Sequence, residues 1–369
     1  MRILYGVFGY GRGHATRALS ILPDLCRRHE VTVLAGGDAY DAIAPTRPAV
    51  RIPTLRYEYG GDGRRSLSRT FGENFGHVQD LTWRGPSYRE VERFVRDLAP
   101  DVAICDAEPW THAVAARLGI PRISFDHFGI LAYCRPAIPW HDRLRSFRDV
   151  TAYRSLMGRP DRIIVSSFYE AGPHDPRIRF VGPLLRQEVL QRQARRGDHL
   201  LVYLNKGAYQ LTPRVRRALE ALRFPVVVYG TPYRGIEGNL DFRVPSNEPF
   251  LEDLASCRAV FSTAGNQLVG EAIWLGKPML VMPEHTVEQR LNAAAVERLG
   301  VGMQVGHTEI DSAAIERFLA REDGFRDSIR RAVRDGRVEA LGAVEGFARD
   351  LVRERQRRRQ AQRAWRLAW

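Results

Sequence analysis

The chain has 369 residues, of which 44% are apolar, and a formal net charge of +13 at pH 7. This length exceeds what one ordinary hydrophobic core accommodates, so two domains are expected. No apolar run approaches the ~20 residues of a membrane-spanning helix, and the amino terminus lacks the pattern of a signal peptide, so a cytoplasmic location is predicted. The four cysteines lie far apart without a CxxC pair, which argues against a structural zinc site.

Short apolar runs alternate with amphipathic stretches through the first half of the chain. The runs have the length of buried strands, and the stretches between them have helical spacing. Such alternation is typical of a parallel, doubly wound sheet. The predicted strands are Ile3–Val7, Val31–Leu34, Val102–Cys105, Arg122–Phe125, Arg162–Val165 and Ile178–Val181, and the predicted helices are His14–Arg28, Tyr88–Leu98 and Trp110–Leu118.

Two segments interrupt this pattern. Tyr57–Gly76 has no clear period and is rich in glycine and arginine, which predicts a long loop. Gly182-Pro183 follows a strand and is a strong breaker, and the charged segment Arg186–Asp198 comes next. The alternation then restarts with predicted strands at Leu200–Leu204, Val226–Tyr229, Ala259–Ser262 and Met279–Met282 and predicted helices at Leu268–Leu275 and Glu288–Arg298.

These patterns predict two doubly wound, Rossmann-like α/β domains of similar size. The first is expected over residues 1–183 and the second over 199–343, with a linker over 184–198. Two such domains facing each other leave a cleft, and ligands commonly bind in clefts of this kind.

A glycine-rich turn follows the first predicted strand. Gly9 and Gly11 fit the first two positions of a G-x-G-x-x-G dinucleotide fingerprint, but His14 takes the third position, which argues against a dehydrogenase. No P-loop string is present. The remaining interpretations are a turn that presents His14 for chemistry, since a neutral imidazole is a suitable base near pH 7, or an ordinary first-turn helix residue.

A second turn of this kind follows the strand Ala259–Ser262. Gly265 opens a helix whose free N–H groups and positive dipole end suit a phosphate. Glu271 lies further along this helix, on a face that is expected to reach ribose hydroxyls. Glu288 and Gln289 open the following helix and carry groups that bind sugar hydroxyls.

Both turns match a known family. Gly9-Tyr10-Gly11-Arg12-Gly13-His14-x-x-Arg17 resembles the glycine-histidine turn of GT-B glycosyltransferases. The string Gly265-Asn266…Glu271-Ala272…Gly276-Lys277-Pro278…Pro283…Glu288-Gln289…Asn292-Ala293 resembles their donor-binding signature. The match is similar to the family 1 and family 28 type, which includes the GlcNAc transferase of peptidoglycan synthesis and the UDP-glucuronosyltransferase-like enzymes of bacteria and archaea.

The resemblance implies a donor site in the second domain. Gly265 and Asn266 would hold the donor diphosphate, Glu271 the ribose, and Glu288 and Gln289 the transferred sugar. Many relatives have threonine where this chain has Gln267. The remaining implied donor contacts are Phe250 and Leu251 near the base and the loop Asn205, Lys206 and Gly207, in which Lys206 suits the developing phosphate charge.

On the first domain the resemblance implies a base and an acceptor site. His14 would be the base and Asp106 the carboxylate that orients it, with Glu108 as the second candidate. Turn residues are the other interpretation of Asp126 and His127. The implied acceptor-side residues are Tyr10, Gly11, Gly13, Glu108, Asp126 and His127.

The implied activity is an inverting, metal-independent transfer of a sugar from a nucleoside diphosphate sugar, expected to be a UDP-sugar, to a small-molecule or lipid-linked acceptor. No cofactor, metal or nucleic-acid partner is expected. Two alternatives remain open, a nucleotide-sugar 2-epimerase of similar fold and a non-catalytic nucleotide-sugar-binding subunit.

The carboxyl-terminal stretch is strongly basic. Residues 353–369 contain seven arginines and one glutamate. A solvated helical tail is one interpretation, and a basic helix lying on an anionic membrane is the other. The family resemblance implies that residues 344–369 begin with a helix that returns to the first domain, over roughly Val344–Val352, and continue as an exposed tail.

Overall fold

The computed structural model describes residues 1–58, 60, 66–172, 175–205, 207–244 and 246–367. These residues form two compact units. The first contains Met1–Glu58, the described residues from Ser66 to Leu184, and those from Gly336 onward. The second runs over Leu185–Asp335.

The first unit is built on a seven-stranded, all-parallel sheet with the strand order β3-β2-β1-β4-β5-β6-β7. Its central strands are buried on both faces, as near-continuous apolar runs require. The strands are β1 (Arg2–Val7), β2 (Glu30–Ala35), β3 (Ala49–Arg51), β4 (Val102–Asp106), β5 (Arg122–Asp126), β6 (Arg162–Ser166) and β7 (Ile178–Val181).

Helices cover both faces of this sheet. The helix α4 shows why: Tyr88, Val91 and Val95 recur at helical spacing and are buried, and Pro86 stands in its first turn, where no N–H bond is lost. The helices between the strands are α1 (Arg12–Arg28), α2 (Gly37–Ile43), α3 (Leu67–Trp83), α4 (Pro86–Leu98), α5 (Pro109–Arg117), α6 (Gly129–Ala132) and α7 (Arg143–Met157), with a 3₁₀ turn over Trp140–Asp142 before α7.

The second unit repeats this plan with the order β10-β11-β9-β8-β12-β13-β14, in which only β10 is antiparallel to its neighbour. Its strands are β8 (Leu200–Tyr203), β9 (Val226–Tyr229), β10 (Gly235–Glu237), β11 (Leu240–Arg243), β12 (Ala259–Ser262), β13 (Met279–Val281) and β14 (Gly302–Gln304). Its helices are α8 (Gln187–Leu190), α9 (Gly207–Gln210), α10 (Pro213–Glu220), α11 (Asn247–Ser256), α12 (Asn266–Trp274), α13 (Val287–Arg298), α14 (Ser312–Leu319) and α15 (Glu322–Ala332).

A long final helix, α16 (Arg337–Leu367), belongs to the first unit. Its entry is fixed to the end of β7, since Gly336 N–H donates to Pro183 O at 3.0 Å and Glu339 accepts from Gly182 N–H at 2.9 Å. Its apolar residues then recur every three or four positions and complete the core of the first sheet. These residues are Ala340, Leu341, Val344, Phe347, Ala348 and Leu351.

The boundaries of the units differ from those expected from the sequence. The return to the first unit begins at Gly336 rather than near residue 344. Residues 185–198, expected to be a linker, pack on the second unit, where Arg186 pairs with Glu271 and Arg192 with Glu248. Charged side chains that look solvated in a sequence are here held by ion pairs.

The expected loop Tyr57–Gly76 was wrong for its second half, which is the start of α3. Two glycines and two exposed phenylalanines hide the helical pattern there. Ser66 caps the helix, and Asn74 anchors it by bonding both N–H and C=O of Arg56 at 2.8 and 2.7 Å. Among the described helices of either unit, none has the length and apolar character needed to cross a membrane.

Because α16 completes the first core, Phe347→Ala should destabilise that unit by about 3 kcal/mol. Hydrogen exchange should rise in peptides from β6 and β7 and stay unchanged in the second unit. Val338→Ala, on the same helix but exposed, is the matched control and should cost less than ~0.5 kcal/mol. Equal protection loss in both units would contradict the assignment of α16.

Candidate active site

Each predicted site lies where its sheet reverses strand order. In the first unit β1 and β4 are neighbours and the chain winds outward from them in opposite directions. In the second unit β8 and β12 hold the same position. The carboxyl ends of such strand pairs form the ligand-binding crevice of open α/β sheets. Asp106 is the last residue of β4 and His14 lies shortly after β1, while Asn205 and Gly265 follow the ends of β8 and β12.

The turn after β1 depends on two of its glycines. A Cβ on Gly9 would lie 2.4 Å from the Thr54 hydroxyl and 2.5 Å from Gly36 O, so only glycine fits there. Gly11 has φ 81°, a left-handed conformation that favours glycine, and its N–H donates to Asp38 at 2.8 Å. Gly13 follows in the first turn of α1. The turn therefore fixes how α1 begins over the strand ends.

This geometry brings His14 to Asp106. Nδ1 of His14 and Oδ1 of Asp106 are 2.6 Å apart, and the carboxylate is completely buried. An ionised carboxylate only accepts, so Nδ1 carries the proton and Nε2 presents a lone pair. The His14 side chain is 25% exposed. The arrangement is that of a general base held in one tautomer by a buried acid.

Arg17, one helical turn after His14, holds the other side of the same carboxylate. Its Nε donates to Oδ2 at 2.7 Å and its Nη2 donates to Oδ1 at 2.6 Å. The same Nη2 lies 2.9 Å from His14 Nδ1, but a protonated Nδ1 has no lone pair to accept, so this approach is a contact. No role was predicted for Arg17, although its i, i+3 spacing from His14 places both side chains on one helix face.

The surroundings of Asp106 set its charge. Burial works to raise its pKa, but the Arg17 guanidinium and His14 outweigh burial and hold the pKa below the ordinary value. Asp106 in turn raises the pKa of Arg17 against the effect of burial. Both groups therefore stay ionised, and the carboxylate remains an acceptor for the imidazole.

A second buried carboxylate, Asp126, lies nearby at the end of β5. Burial, reinforced by repulsion from Asp106, raises its pKa. It accepts hydrogen bonds from the hydroxyl of Tyr153 and, at 2.7 Å, from Gly129 N–H. Its neighbour His127 is also buried and bonds Ser166 O at 3.0 Å. Both were expected on the acceptor side, yet both are enclosed, because they tie α6 and α7 to the sheet.

Glu108 is also enclosed and does not orient His14. It is the N-cap of α5, and its carboxylate accepts from Trp110 N–H at 2.9 Å and from Thr111 N–H at 2.6 Å. Burial raises its pKa to about 7, against the lowering effect of these bonds. Pro109 at the first helical position is the signal in the sequence that a helix starts here. Contact of Glu108 with the acceptor stays a prediction.

Among the predicted acceptor-side residues, Tyr10 and Gly11 are half-buried and Gly13 is exposed. The Tyr10 ring meets Tyr57 edge-on, with centroids 5.5 Å apart. The imidazole of His14 meets Phe8 in the same way at 5.3 Å, so an aromatic ring packs against the predicted base.

In the second unit, α12 begins at the predicted phosphate position. Gly265 directly precedes the first residue of α12. Because glycine has no side chain, it cannot cap the first N–H groups of the helix. Ala264 holds φ 63°, an uncommon conformation without glycine. The buried amide of Asn292 supports it by donating to Ala264 O at 3.0 Å.

Glu271, expected to bind ribose, has a protein partner. Arg186 donates to its two oxygens at 2.8 and 2.7 Å, and Gln267 donates to one of them at 2.9 Å. Arg186 also donates to Asn247 at 2.6 Å. No role was predicted for Arg186, because it lies in the segment interpreted as a linker.

The predicted donor loop after β8 is present only in part. Asn205 is exposed, and Gly207 is buried with its N–H bonded to Gly230 O at 2.9 Å. Lys206 lies outside the described residues. Phe250 packs edge-on against Tyr203 and Tyr229, with centroids 5.4 and 5.2 Å away.

Leu251 is completely buried in α11, and its contact with the nucleotide base stays a prediction.

Beyond β13 the predicted sugar-binding residues start α13. Glu288 lies in the first turn of α13. The side chain of Thr286 caps this helix by accepting a hydrogen bond from Gln289 N–H. The Gln289 side chain accepts from Glu284 N–H at 2.8 Å, and Glu284 accepts from Gln210 at 2.8 Å. Glu284 and Gln210 are therefore connected by hydrogen bonds to the predicted sugar-binding residue Gln289. No motif in the sequence indicated either of them.

Over the described part of the chain, no three histidine, cysteine or acidic residues cluster closely enough to hold a metal ion. The site residues thus group into one set on each unit. On the first unit the predicted His14 and Asp106 are joined by Arg17, and on the second the predicted start of α12 and Glu271 are joined by Arg186.

Known proteins share this fold. The calicheamicin glycosyltransferase CalG4 has a TM-score of 0.62 and 21% identity, covering 94% of this chain and 98% of that one. Phytolacca americana UGT2, solved with UDP-2-fluoro-glucose and pterostilbene, has a TM-score of 0.67 and 15% identity, covering 95% and 98%. The fold is therefore GT-B.

Sequence comparison gives the family. An uncharacterized glycosyltransferase of Methanosarcina mazei is 23% identical over 370 residues, covering 90% of this chain and 94% of that protein. The family model described as glycosyl transferase family 1 matches residues 1–322. Because this match spans most of the chain, the protein is a glycosyltransferase and belongs to glycosyl transferase family 1.

Proposed function

We propose that the protein transfers a sugar from a UDP-sugar to a small-molecule or lipid-linked acceptor with inversion, without a metal, and with His14 as the base. The main support is the 2.6 Å hydrogen bond between His14 Nδ1 and the buried, ionised Asp106. The imidazole is part-exposed, and its Nε2 has no partner among the described residues.

His14 Nε2 takes the proton of the acceptor hydroxyl as that oxygen attacks the anomeric carbon. The imidazolium that forms is stabilised by Asp106, while the carboxylate itself stays ionised. Attack occurs opposite the bond to the departing diphosphate, so a single displacement inverts the anomeric centre.

The leaving diphosphate is assigned to the start of α12. Negative charge accumulates on it as the glycosidic bond breaks, and the N–H groups and positive dipole end of α12 oppose that charge. The structural relative from Phytolacca americana was solved with a UDP-sugar analogue, which supports a UDP-sugar as donor here. The N–H groups at the start of α12 stabilise the charge of the leaving diphosphate, so the reaction needs no metal ion.

Replacing the base tests the first assignment. His14→Ala should lower kcat by ~10²–10⁴-fold with the best donor and acceptor pair of a panel, because proton removal is lost. UDP binding, followed by thermal shift, should be unchanged, since His14 is on the first unit. Full activity in this variant would rule His14 out as the base.

Arg17 should act as a positioning residue through Asp106. Arg17→Gln removes the guanidinium, so burial should raise the pKa of Asp106. When the pH is lowered, Asp106 of this variant should become protonated earlier, and its activity should fall at a higher pH than that of wild type. Arg17→Lys keeps one point charge and should shift the acid limb of the kcat/KM profile less. Arg27→Gln, an exposed arginine on the same helix, is the control. An unshifted acid limb in Arg17→Gln would contradict this role.

The ribose assignment of Glu271 can be tested separately. Wild type should bind UDP about tenfold more tightly than 2′,3′-dideoxy-UDP, as one hydrogen bond to a charged group implies. Glu271→Gln should remove most of that preference. Glu248→Gln, which changes an exposed glutamate of the same unit, should retain it. A preference that survives in Glu271→Gln would show that this carboxylate serves only Arg186.

A further inference from the structure

The segment that leads into α7 exposes three large apolar side chains. Trp140 and Leu144 are each 81% exposed, and Phe147 is 71% exposed. Leu144 and Phe147 are three residues apart on one side of α7, and Trp140 lies in the 3₁₀ turn that directly precedes the helix. Single exposed apolar residues are ordinary, but three large ones so close together in the chain mark an interaction surface.

Positive charge flanks this stripe. Arg143 and Arg148 are exposed, and neither has an ion-pair partner among the described residues. The acidic residues of the same segment point the other way, since Asp142 is buried and Asp149 is half-buried. We call Trp140, Leu144 and Phe147 with these two arginines the α7 patch.

The opposite face of α7 is committed to the fold. Ser146 and Met157 are buried, and the Tyr153 hydroxyl donates to Asp126. Arg154 donates to Ala132 O at 2.9 Å, which fixes the helix to α6. Since the inner face already anchors the helix, the outward apolar side chains contribute nothing visible to folding.

We propose that the α7 patch docks the protein on an anionic lipid membrane. Apolar side chains that insert at the interface, an exposed tryptophan and flanking arginines are the features of an interfacial helix. The arginines attract anionic headgroups, while Trp140, Leu144 and Phe147 bury their apolar area among the acyl chains. A second copy of this chain would bring the same arginines against each other, which disfavours it as the occupant.

The described part of the basic tail is a weaker docking surface than the α7 patch. The large apolar residues Phe347 and Leu351 of α16 are buried in the core of the first unit. Exposed arginines such as Arg357 and Arg358 follow them, and the apolar residues with described burial beyond Leu351 are only the half-buried Val352 and the small Ala361. Charge alone gives weak, salt-sensitive attraction, whereas stable docking needs a second, apolar signal.

The test is co-sedimentation of the full chain with vesicles made from equal parts phosphatidylcholine and phosphatidylglycerol. Wild type should bind these vesicles, and the triple variant Trp140→Ser/Leu144→Ser/Phe147→Ser should bind at least ~10-fold more weakly. Arg143→Gln/Arg148→Gln should lose the salt-dependent part of binding. Vesicles of phosphatidylcholine alone should bind wild type more weakly than the mixture.

Matched controls separate this surface from others. Ile236→Ser and Val338→Ser remove apolar side chains that are each 77% exposed elsewhere, and both should bind like wild type. Arg357→Gln/Arg358→Gln tests the tail. Melting temperatures of all variants should stay close to that of wild type, because the altered side chains are exposed.

Three results would overturn the proposal. One is absence of vesicle binding by wild type. Another is binding that the triple variant retains and the tail variant loses. The third is a wild-type dimer in light scattering that the triple variant dissociates, which would assign the α7 patch to a second copy. None of these readouts depends on the sugar-transfer reaction.

Discussion

A buried negative charge at Asp106 imposes the arrangement of the first unit. An ion without solvent costs several kcal/mol unless strong partners surround it. Asp106 receives three N–H donors, two from Arg17 and one from His14, and all come from one face of α1. The helix must therefore begin close over the end of β4, and the turn that permits this needs glycine at residues 9 and 11. The carboxylate of Asp106 therefore both fixes the position of α1 and bonds the proposed base His14.

The second unit solves a similar problem with different residues. Glu271 is buried, and Arg186 grips it with two parallel bonds, the geometry in which arginine binds a carboxylate most strongly. Each unit also holds one alanine with positive φ directly beside its site, Ala107 after β4 and Ala264 after β12. Backbone in such conformations persists only where the surroundings enforce it, and it concentrates at functional positions.

The repeating pattern of strands and helices could be predicted from the sequence, whereas contacts between single side chains far apart in the chain could not. The predicted strands are all present, because buried parallel strands are apolar runs that the alternation with helices makes visible. The pairing of His14 with Asp106 came from the family resemblance, and the structure adds the physical reason, because β1 and β4 are neighbouring parallel strands whose ends lie close together. The partners of Arg17 and Arg186 could not be predicted, because an arginine that looks solvated in a sequence becomes buried only through long-range packing. Short edge strands such as Ala49–Arg51 carry too few residues for a pattern.

The path of α16 has a consequence for how the chain is made. Since Gly336–Leu367 completes the core begun by β1, residues 185–335 are inserted between two segments of the first unit. During synthesis, residues 185–335 emerge and can fold as a continuous segment while the first sheet still lacks its last helix. The first unit therefore begins to emerge before the second but can be completed only after it, when α16 has left the ribosome.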